Sequence, residues 1–90
     1  MKKVILKGSL ITSKEILHNI LKTQLKLPDY YGENLDALWD VLSEEMEDPL
    51  VIIWQDFNIS KEYLGEYAKK VVQLFDDAQN EFEGFSYELK

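Results

Sequence analysis

The chain has 90 residues, of which ten are lysine and none is arginine or cysteine, and its formal net charge at pH 7 is −7. This length suits one domain over residues 1–90. The absence of cysteine excludes disulfides, thiolate metal sites and cysteine nucleophiles, and it favours a cytoplasmic location. No apolar run is long enough for a signal peptide or a membrane-spanning helix, so no membrane contact is expected.

Charge is distributed unevenly along the chain. Residues 1–26 carry six lysines and one glutamate, residues 27–60 carry nine acidic residues and no basic one, and residues 61–90 carry four lysines and seven acids. Binding to nucleic acid is not expected, because it needs a basic stripe on the surface. The acidic middle segment instead predicts a basic partner.

The first elements in chain order are a strand and a helix. Residues 3–7 have the composition of a short strand. Thr12 and Glu15 match a capping box, with Thr12 as the N-cap residue of the helix. Ile11 and Ile16 then occupy the positions of a hydrophobic staple across the start of that helix.

Pro28 ends the first helix, and a second helix is predicted from about Glu33 or Asn34 to about Met46. On a helical wheel four apolar residues face the core: Ala37, Leu38, Val41 and Leu42. Three others lie at the border of this face: Leu35, Trp39 and Met46. Beside them are acids at i, i+4 and i+8: Asp36, Asp40 and Glu44. Unpaired acids beside an aromatic edge favour a binding site for a basic cleft, and the alternative is a merely solvated face.

The second half of the chain predicts two more strands and further helices. Residues 50–54 are a continuous apolar run, which indicates a central strand buried on both faces. Ser60 is predicted to cap a short helix over residues 61–64. A longer helix ends at Gly84, and residues 85–90 alternate between apolar and polar like an edge strand. Helical crossovers between the strands predict an α/β fold with a three-stranded parallel sheet in the order 1-2-3.

The most specific pattern is Leu27-Pro28 followed by Tyr30-Tyr31-Gly32-Glu33-Asn34-Leu35-Asp36-Ala37-Leu38-Trp39-Asp40. This stretch closely resembles the barstar family of intracellular ribonuclease inhibitors, and the match continues more loosely over nearly the whole chain. The resemblance implies a three-stranded parallel sheet with helices packed against it. It also implies that the protein is not an enzyme but plugs the active site of a secreted, guanyl-preferring (barnase-like) ribonuclease, for self-protection of the cell.

The resemblance also implies roles for single residues. Asp40 would mimic the RNA phosphate and meet the arginines and catalytic histidine of the ribonuclease. Tyr30 would pack over that histidine, and Asp36 would pair with further basic groups. The rest of the partner-binding surface would come from Tyr31, Gly32, Asn34, Leu35, Trp39, Ser43, Glu44, Met46, Glu47 and Asp77. A one-to-one complex is expected, with a monomer when free and with no cofactor and no metal.

Two departures from the family pattern keep other hypotheses open. Glu44, Glu45 and Met46 stand where the family carries a small residue, tryptophan and valine, and Asp77 is shorter than the family glutamate. The alternative function is therefore a barstar-like binding module for a different basic protein. A hydrolase that uses Asp36 and Asp40 is disfavoured, because no second element supplies an opposing acid. His18, the only histidine, is predicted to be an ordinary, partly exposed residue.

Overall fold

The structure is a computed structural model that describes residues 2–44 and 49–90, which form three strands and four α-helices. In chain order the elements are β1 (Lys2–Lys7), a 3-10 helical turn (Gly8–Leu10), α1 (Lys14–Leu25), α2 (Leu35–Glu44), β2 (Leu50–Gln55), α3 (Phe57–Leu64), α4 (Glu66–Glu81) and β3 (Phe85–Leu89). None of the helices in these two ranges is long and apolar enough to cross a membrane.

The three strands form one parallel sheet in the order β1-β2-β3, which confirms the predicted fold class. In its register Val4 pairs with Ile52, and Ile52 pairs with Tyr87. Parallel neighbours need long crossover connections. Here α1 and α2 connect β1 to β2, and α3 and α4 connect β2 to β3.

The core lies on one face of this sheet. The strand residues of the core cluster all belong to that face: Val4, Leu6, Leu50, Ile52, Trp54 and Phe85. Val51 and Ile53, which alternate with them on β2, are only partly buried. The prediction that this strand is buried on both faces is therefore wrong, because the helices supply their apolar side chains to one face.

A chain of hydrogen bonds joins α3 to the turn after β1. Trp54 Nε1 donates to Ser60 Oγ at 2.9 Å, and Ser60 Oγ donates to the Gly8 carbonyl oxygen at 2.8 Å. A Cβ at Gly8 would lie 2.1 Å from the Gln55 carbonyl oxygen, so only glycine fits there. The prediction that Ser60 caps a helix over residues 61–64 is wrong, because α3 already begins at Phe57 and Ser60 is buried within it.

The helix α1 begins after Ser13, so the prediction that Thr12 is its N-cap residue is wrong. Ser13 Oγ accepts a hydrogen bond from the Ile16 N–H at 3.2 Å. With Ser13 as the N-cap residue, Ile11 and Ile16 no longer occupy the predicted staple positions, and Ile11 is fully buried whereas Ile16 is 37% exposed. Both hydroxyl residues can cap a helix, and the extended backbone of Ser13, with φ −152° and ψ 161°, marks it as the residue at which the helix begins.

Candidate functional site

Asn34 joins the helix α2 to the loop of residues 28–34 before it. Its Oδ1 accepts a hydrogen bond from the Ala37 N–H at 2.8 Å, and its Nδ2 donates to the Gly32 carbonyl oxygen at 3.1 Å. Earlier in the loop, the Tyr31 N–H donates to the Pro28 carbonyl oxygen at 3.0 Å. An asparagine at this position satisfies a backbone N–H that has no partner within the helix. These bonds fix the loop against the first turn of α2.

The side of α2 that packs against the core includes the predicted Leu38 and Leu42 but otherwise differs from the predicted one. It carries Leu35, Leu38, Trp39 and Leu42. Ala37 and Val41, which were predicted to face the core, are only partly buried and line a surface pocket. The physical reason is Phe82, the residue directly after α4, whose ring lies 5.1 Å from the ring of Trp39, centroid to centroid. That aromatic contact directs Trp39 toward the core, so the side of the helix that carries Ala37 and Val41 lies at the surface.

A pocket of about 250 Å³ lies between the loop and α2, and we call it the Asp40 pocket. Its lining residues are Pro28, Tyr30, Tyr31, Gly32, Ala37, Asp40, Val41 and Glu44. Tyr30 is 84% exposed. Asp40 and Glu44 are also exposed, one helical turn apart. The pocket therefore combines apolar and aromatic walls with two carboxylates, which suits a cationic side chain of a partner.

A second pocket of about 350 Å³ lies at the start of α2, and we call it the Asp36 pocket. It is lined by Lys14, Glu33, Asn34, Leu35, Asp36 and Tyr67. Lys14 Nζ lies 5.9 Å from the centroid of the Tyr67 ring. Asp36 and Asp40 are four residues apart, yet they line different pockets. The helix thus has two separate acidic positions on its surface.

The acids of these pockets are not neutralised by the salt bridges of the described residues. Within residues 2–44 and 49–90 the salt bridges join Lys22 to Asp29 and Lys69 to Glu66. Both are surface pairs, which contribute little to stability. A carboxylate early in the helix is favoured by the helix dipole, whereas one in the last turn is not. The unpaired charge of α2 is therefore available for a partner.

Behind the loop, Tyr31 is held in the interior by the only histidine. Tyr31 is 7% exposed and His18 is 0% exposed. His18 Nδ1 lies 2.8 Å from the Tyr31 hydroxyl, and His18 Nε2 lies 2.6 Å from the Tyr67 hydroxyl. Burial lowers the pKa of His18, opposed by the carboxylates of Glu33 and Glu15. Burial raises the pKa of the Tyr31 and Tyr67 hydroxyls.

The prediction that His18 is partly exposed is therefore wrong. A signal was present in the sequence, because His18 precedes Leu21 by three residues and Leu25 by seven and so shares their side of α1. The burial of Tyr31 also limits its predicted role as a residue that contacts the partner. Its side chain is directed into the protein, where it positions the loop, and the surface that it leaves for a partner is small.

The remaining predicted site residues lie around these pockets. Gly32 lines the Asp40 pocket, and Ser43 Oγ donates to the Asp40 carbonyl oxygen at 3.1 Å. Asp77 is exposed on α4, where its Oδ1 accepts from Gln73 Nε2 at 3.0 Å, and it lines neither pocket. Three residues to which the sequence pattern also drew attention lie outside the described residues: Glu45, Met46 and Glu47.

The fold and the site define a class of small α/β proteins with a three-stranded parallel sheet and an exposed acidic helix. The chain matches the family model described as "Barstar (barnase inhibitor)" over residues 1–90, so it belongs to the barstar family. It is also 43% identical over 81 residues to the Bacillus subtilis (strain 168) protein named "Putative ribonuclease inhibitor YrdF", covering 90% of this chain and 89% of that protein. Both descriptions are of inhibitors, which confirms the prediction that the chain is not an enzyme.

Proposed function

We propose that this protein inhibits a secreted, guanyl-preferring ribonuclease of the barnase type by filling its active site with α2 and the loop before it. Membership of the barstar family and the similarity to YrdF support inhibition of a ribonuclease. The observation that carries the finer proposal is the Asp40 pocket. There an exposed carboxylate and the exposed ring of Tyr30 lie together, and neither described salt bridge includes Asp40.

The chemistry of a ribonuclease explains why a carboxylate inhibits it. Such an active site concentrates cationic hydrogen-bond donors that stabilise the charge of a phosphate. Asp40 presents a negative charge to those donors without offering a bond that the enzyme can cleave, and charge-assisted hydrogen bonds are stronger than neutral ones. Because Leu38 and Leu42 anchor α2 in the core, Asp40 is already positioned before binding.

The other exposed residues have supporting roles in this proposal. Tyr30 packs over the catalytic histidine of the ribonuclease, and Asp36 pairs with basic groups that enter the second pocket. Tyr31 acts indirectly, by holding the loop from within. The surrounding contact surface comes from Gly32, Asn34, Leu35, Trp39, Ser43, Glu44, Met46, Glu47 and Asp77.

The proposed complex contains one molecule of each protein and forms in the cytoplasm, where it protects the producing cell from its own ribonuclease. A cysteine-free sequence suits a reducing compartment. The acidic segment over residues 27–60 supports a basic partner, because opposite charges accelerate encounter. That acceleration decreases with added salt, since ions screen exposed charges beyond about 10 Å at 0.1 M ionic strength.

The second candidate function is binding to a different basic protein. The observation that favours it is Glu44, which adds a second carboxylate to the wall of the Asp40 pocket. The family pattern has a small residue at this position, so the pocket presents more negative charge than the pattern implies. A target with an additional cation opposite Glu44 suits this pocket better than one without.

Titration of a barnase-type ribonuclease with this protein tests the proposal. Asp40→Ala is expected to weaken inhibition by about 2–5 kcal/mol, because it leaves desolvated cations of the enzyme without a partner. Glu62→Ala removes an exposed acid of α3 that lines neither pocket, and it should inhibit like the parent. Equal inhibition by Asp40→Ala and the parent would exclude the phosphate-mimic role. No inhibition across a panel of ribonucleases, with capture of a basic protein that is not a nuclease, would establish the second candidate instead.

A further inference from the structure

The free edge of β1 is paired with a side chain of α1. The Ile5 N–H donates to Gln24 Oε1 at 3.2 Å, and Gln24 Nε2 donates to the Ile5 carbonyl oxygen at 2.7 Å. The order β1-β2-β3 makes β1 an edge strand, so these are the groups that Ile5 directs away from β2. In an antiparallel pair, a residue opposite Ile5 would make the same two bonds through its own backbone. The amide of Gln24 therefore occupies the position of a neighbouring strand.

The opposite edge has a similar contact. The Tyr87 N–H of β3 donates to Gln79 Oε1 of α4 at 3.3 Å. Unpaired backbone groups on an edge strand invite pairing with another chain, and proteins block such edges by several means. In the part of the chain that the structure describes, each edge of the sheet thus has a glutamine from a helix bonded to its backbone.

Lysines add a second barrier at β1. Lys3 and Lys7 are exposed on either side of Ile5. Suppose that β1 of a second copy paired antiparallel with this edge, about a twofold axis through Ile5. Lys3 would then lie opposite Lys7 of the partner subunit, and the twofold axis would generate a second pair of facing lysines. Like charges directly opposite each other in a sheet are destabilising. The two lysines therefore oppose the arrangement in which Ile5 of one copy would pair with Ile5 of the other.

We propose that Gln24 closes the β1 edge against addition of a second copy of this chain, and that Lys3 and Lys7 reinforce it. We name a second copy as the excluded partner because a twofold contact uses the same edge of both copies. Such a contact would bond to the Ile5 N–H and carbonyl oxygen, which Gln24 now occupies. This property is separate from ribonuclease inhibition. Gln24 and Ile5 line neither the Asp40 pocket nor the Asp36 pocket.

The double variant Gln24→Ala, Lys3→Glu tests the proposal. It removes the amide and converts both lysine–lysine pairs into pairs of opposite charge. We expect the parent and Lys3→Glu to remain monomeric by light scattering at millimolar concentration, because Gln24 still occupies the edge. The double variant should dimerise, and Gln24→Ala alone should associate more weakly than the double variant. A monomeric double variant, or a dimeric parent, would overturn the proposal.

A matched control and a second readout identify the contact. Gln73→Ala removes a glutamine bonded to Asp77 on α4 and should leave the protein monomeric. In dilute Gln24→Ala, amide exchange at Ile5 should be about fivefold faster, the factor for loss of one hydrogen bond, and it should slow again in the concentrated double variant. A dimer in which Ile5 still exchanges fast would place the contact elsewhere and overturn the proposal. Gln24→Ala is expected to fold, because Gln24 is exposed on α1 and alanine favours helices. Gln24→Met is a second variant, which keeps the side-chain length without the amide.

Discussion

His18 Nδ1 lies 2.8 Å from the hydroxyl oxygen of Tyr31, in the interior between α1 and the loop that leads to α2. Through its other ring nitrogen the same histidine contacts the Tyr67 hydroxyl of α4. The two adjacent tyrosines of the loop consequently face opposite ways, since Tyr31 is 7% exposed and Tyr30 is 84% exposed. The buried tyrosine holds the loop in the position that leaves its neighbour exposed.

Tyr31→Phe should destabilise the protein by about 1–3 kcal/mol, because it leaves a buried nitrogen of His18 without its hydrogen-bond partner. Urea unfolding monitored by circular dichroism measures this loss. Tyr30→Phe is the matched control, since that hydroxyl is on the exposed ring and its removal should change the free energy of unfolding by no more than about 0.5 kcal/mol. Equal effects of the two substitutions would contradict the different roles of the tyrosines.

The free energy of unfolding should fall as the pH drops below about 6.5, the ordinary pKa of histidine. Burial holds the pKa of His18 below that value in the folded protein, with Lys14 acting in the same direction and Glu33 and Glu15 opposing it. The unfolded chain therefore binds the proton at a higher pH than the folded protein. Stability is lost between the unfolded pKa and the lowered folded pKa, by up to about 1.4 kcal/mol per pH unit for one proton.

Urea unfolding at intervals between about pH 5 and pH 8 measures this dependence, because only groups near neutrality titrate there. His18→Gln is the matched variant, since its amide can both donate to and accept from the tyrosine hydroxyls but does not titrate. The variant should lack the decrease in stability that begins near pH 6.5. The same decrease in both proteins would assign it to groups other than His18.

Asn34→Ala should cost about 0.5–2 kcal/mol of stability, because it removes the side chain that accepts the Ala37 N–H at the start of α2. It also removes the bond from Asn34 Nδ2 to the Gly32 carbonyl oxygen. The loop and the helix should then move more independently, so inhibition is expected to weaken together with stability. Asn19→Ala, at an exposed position within α1, should be neutral or slightly stabilising, since alanine favours the helix interior. Unfolding and inhibition assays on both variants distinguish these results.

Much of the fold could be predicted because its signals are local. The apolar run at residues 50–54 indicated the central strand, and the helical crossovers indicated a parallel sheet in the order that the structure confirms. The start of α2 near Asn34 follows from a side chain that bonds to a backbone group three residues later. Errors arose where two local solutions were equally good. Thr12 and Ser13 both suit an N-cap, and the structure shows that the backbone is extended at Ser13, where the helix begins.

The sequence predicted which segment of the chain forms the candidate site, but not which side chains of that segment lie at the surface. The pattern from Tyr30 to Asp40 placed the loop and the acids together, and the Asp40 pocket brings both of these residues to one position. The wheel nevertheless placed Ala37 and Val41 in the core, because it could not include the contact of Trp39 with Phe82. A helix of ten residues with apolar side chains on more than half of its circumference can pack in two orientations, and contact with a residue distant in the chain selects one.

The amino-acid sequence by itself determined the order of the elements, the parallel sheet, the family and the acidic segment, since each depends on residues close together in the chain. Tertiary structure alone decided the burial of His18, the opposite directions of Tyr30 and Tyr31, and the separate pockets of Asp36 and Asp40. The His18–Tyr67 hydrogen bond joins residues 49 positions apart. Burial and hydrogen bonding of this kind depend on which distant side chains meet, and that is settled only when the helices pack on the sheet.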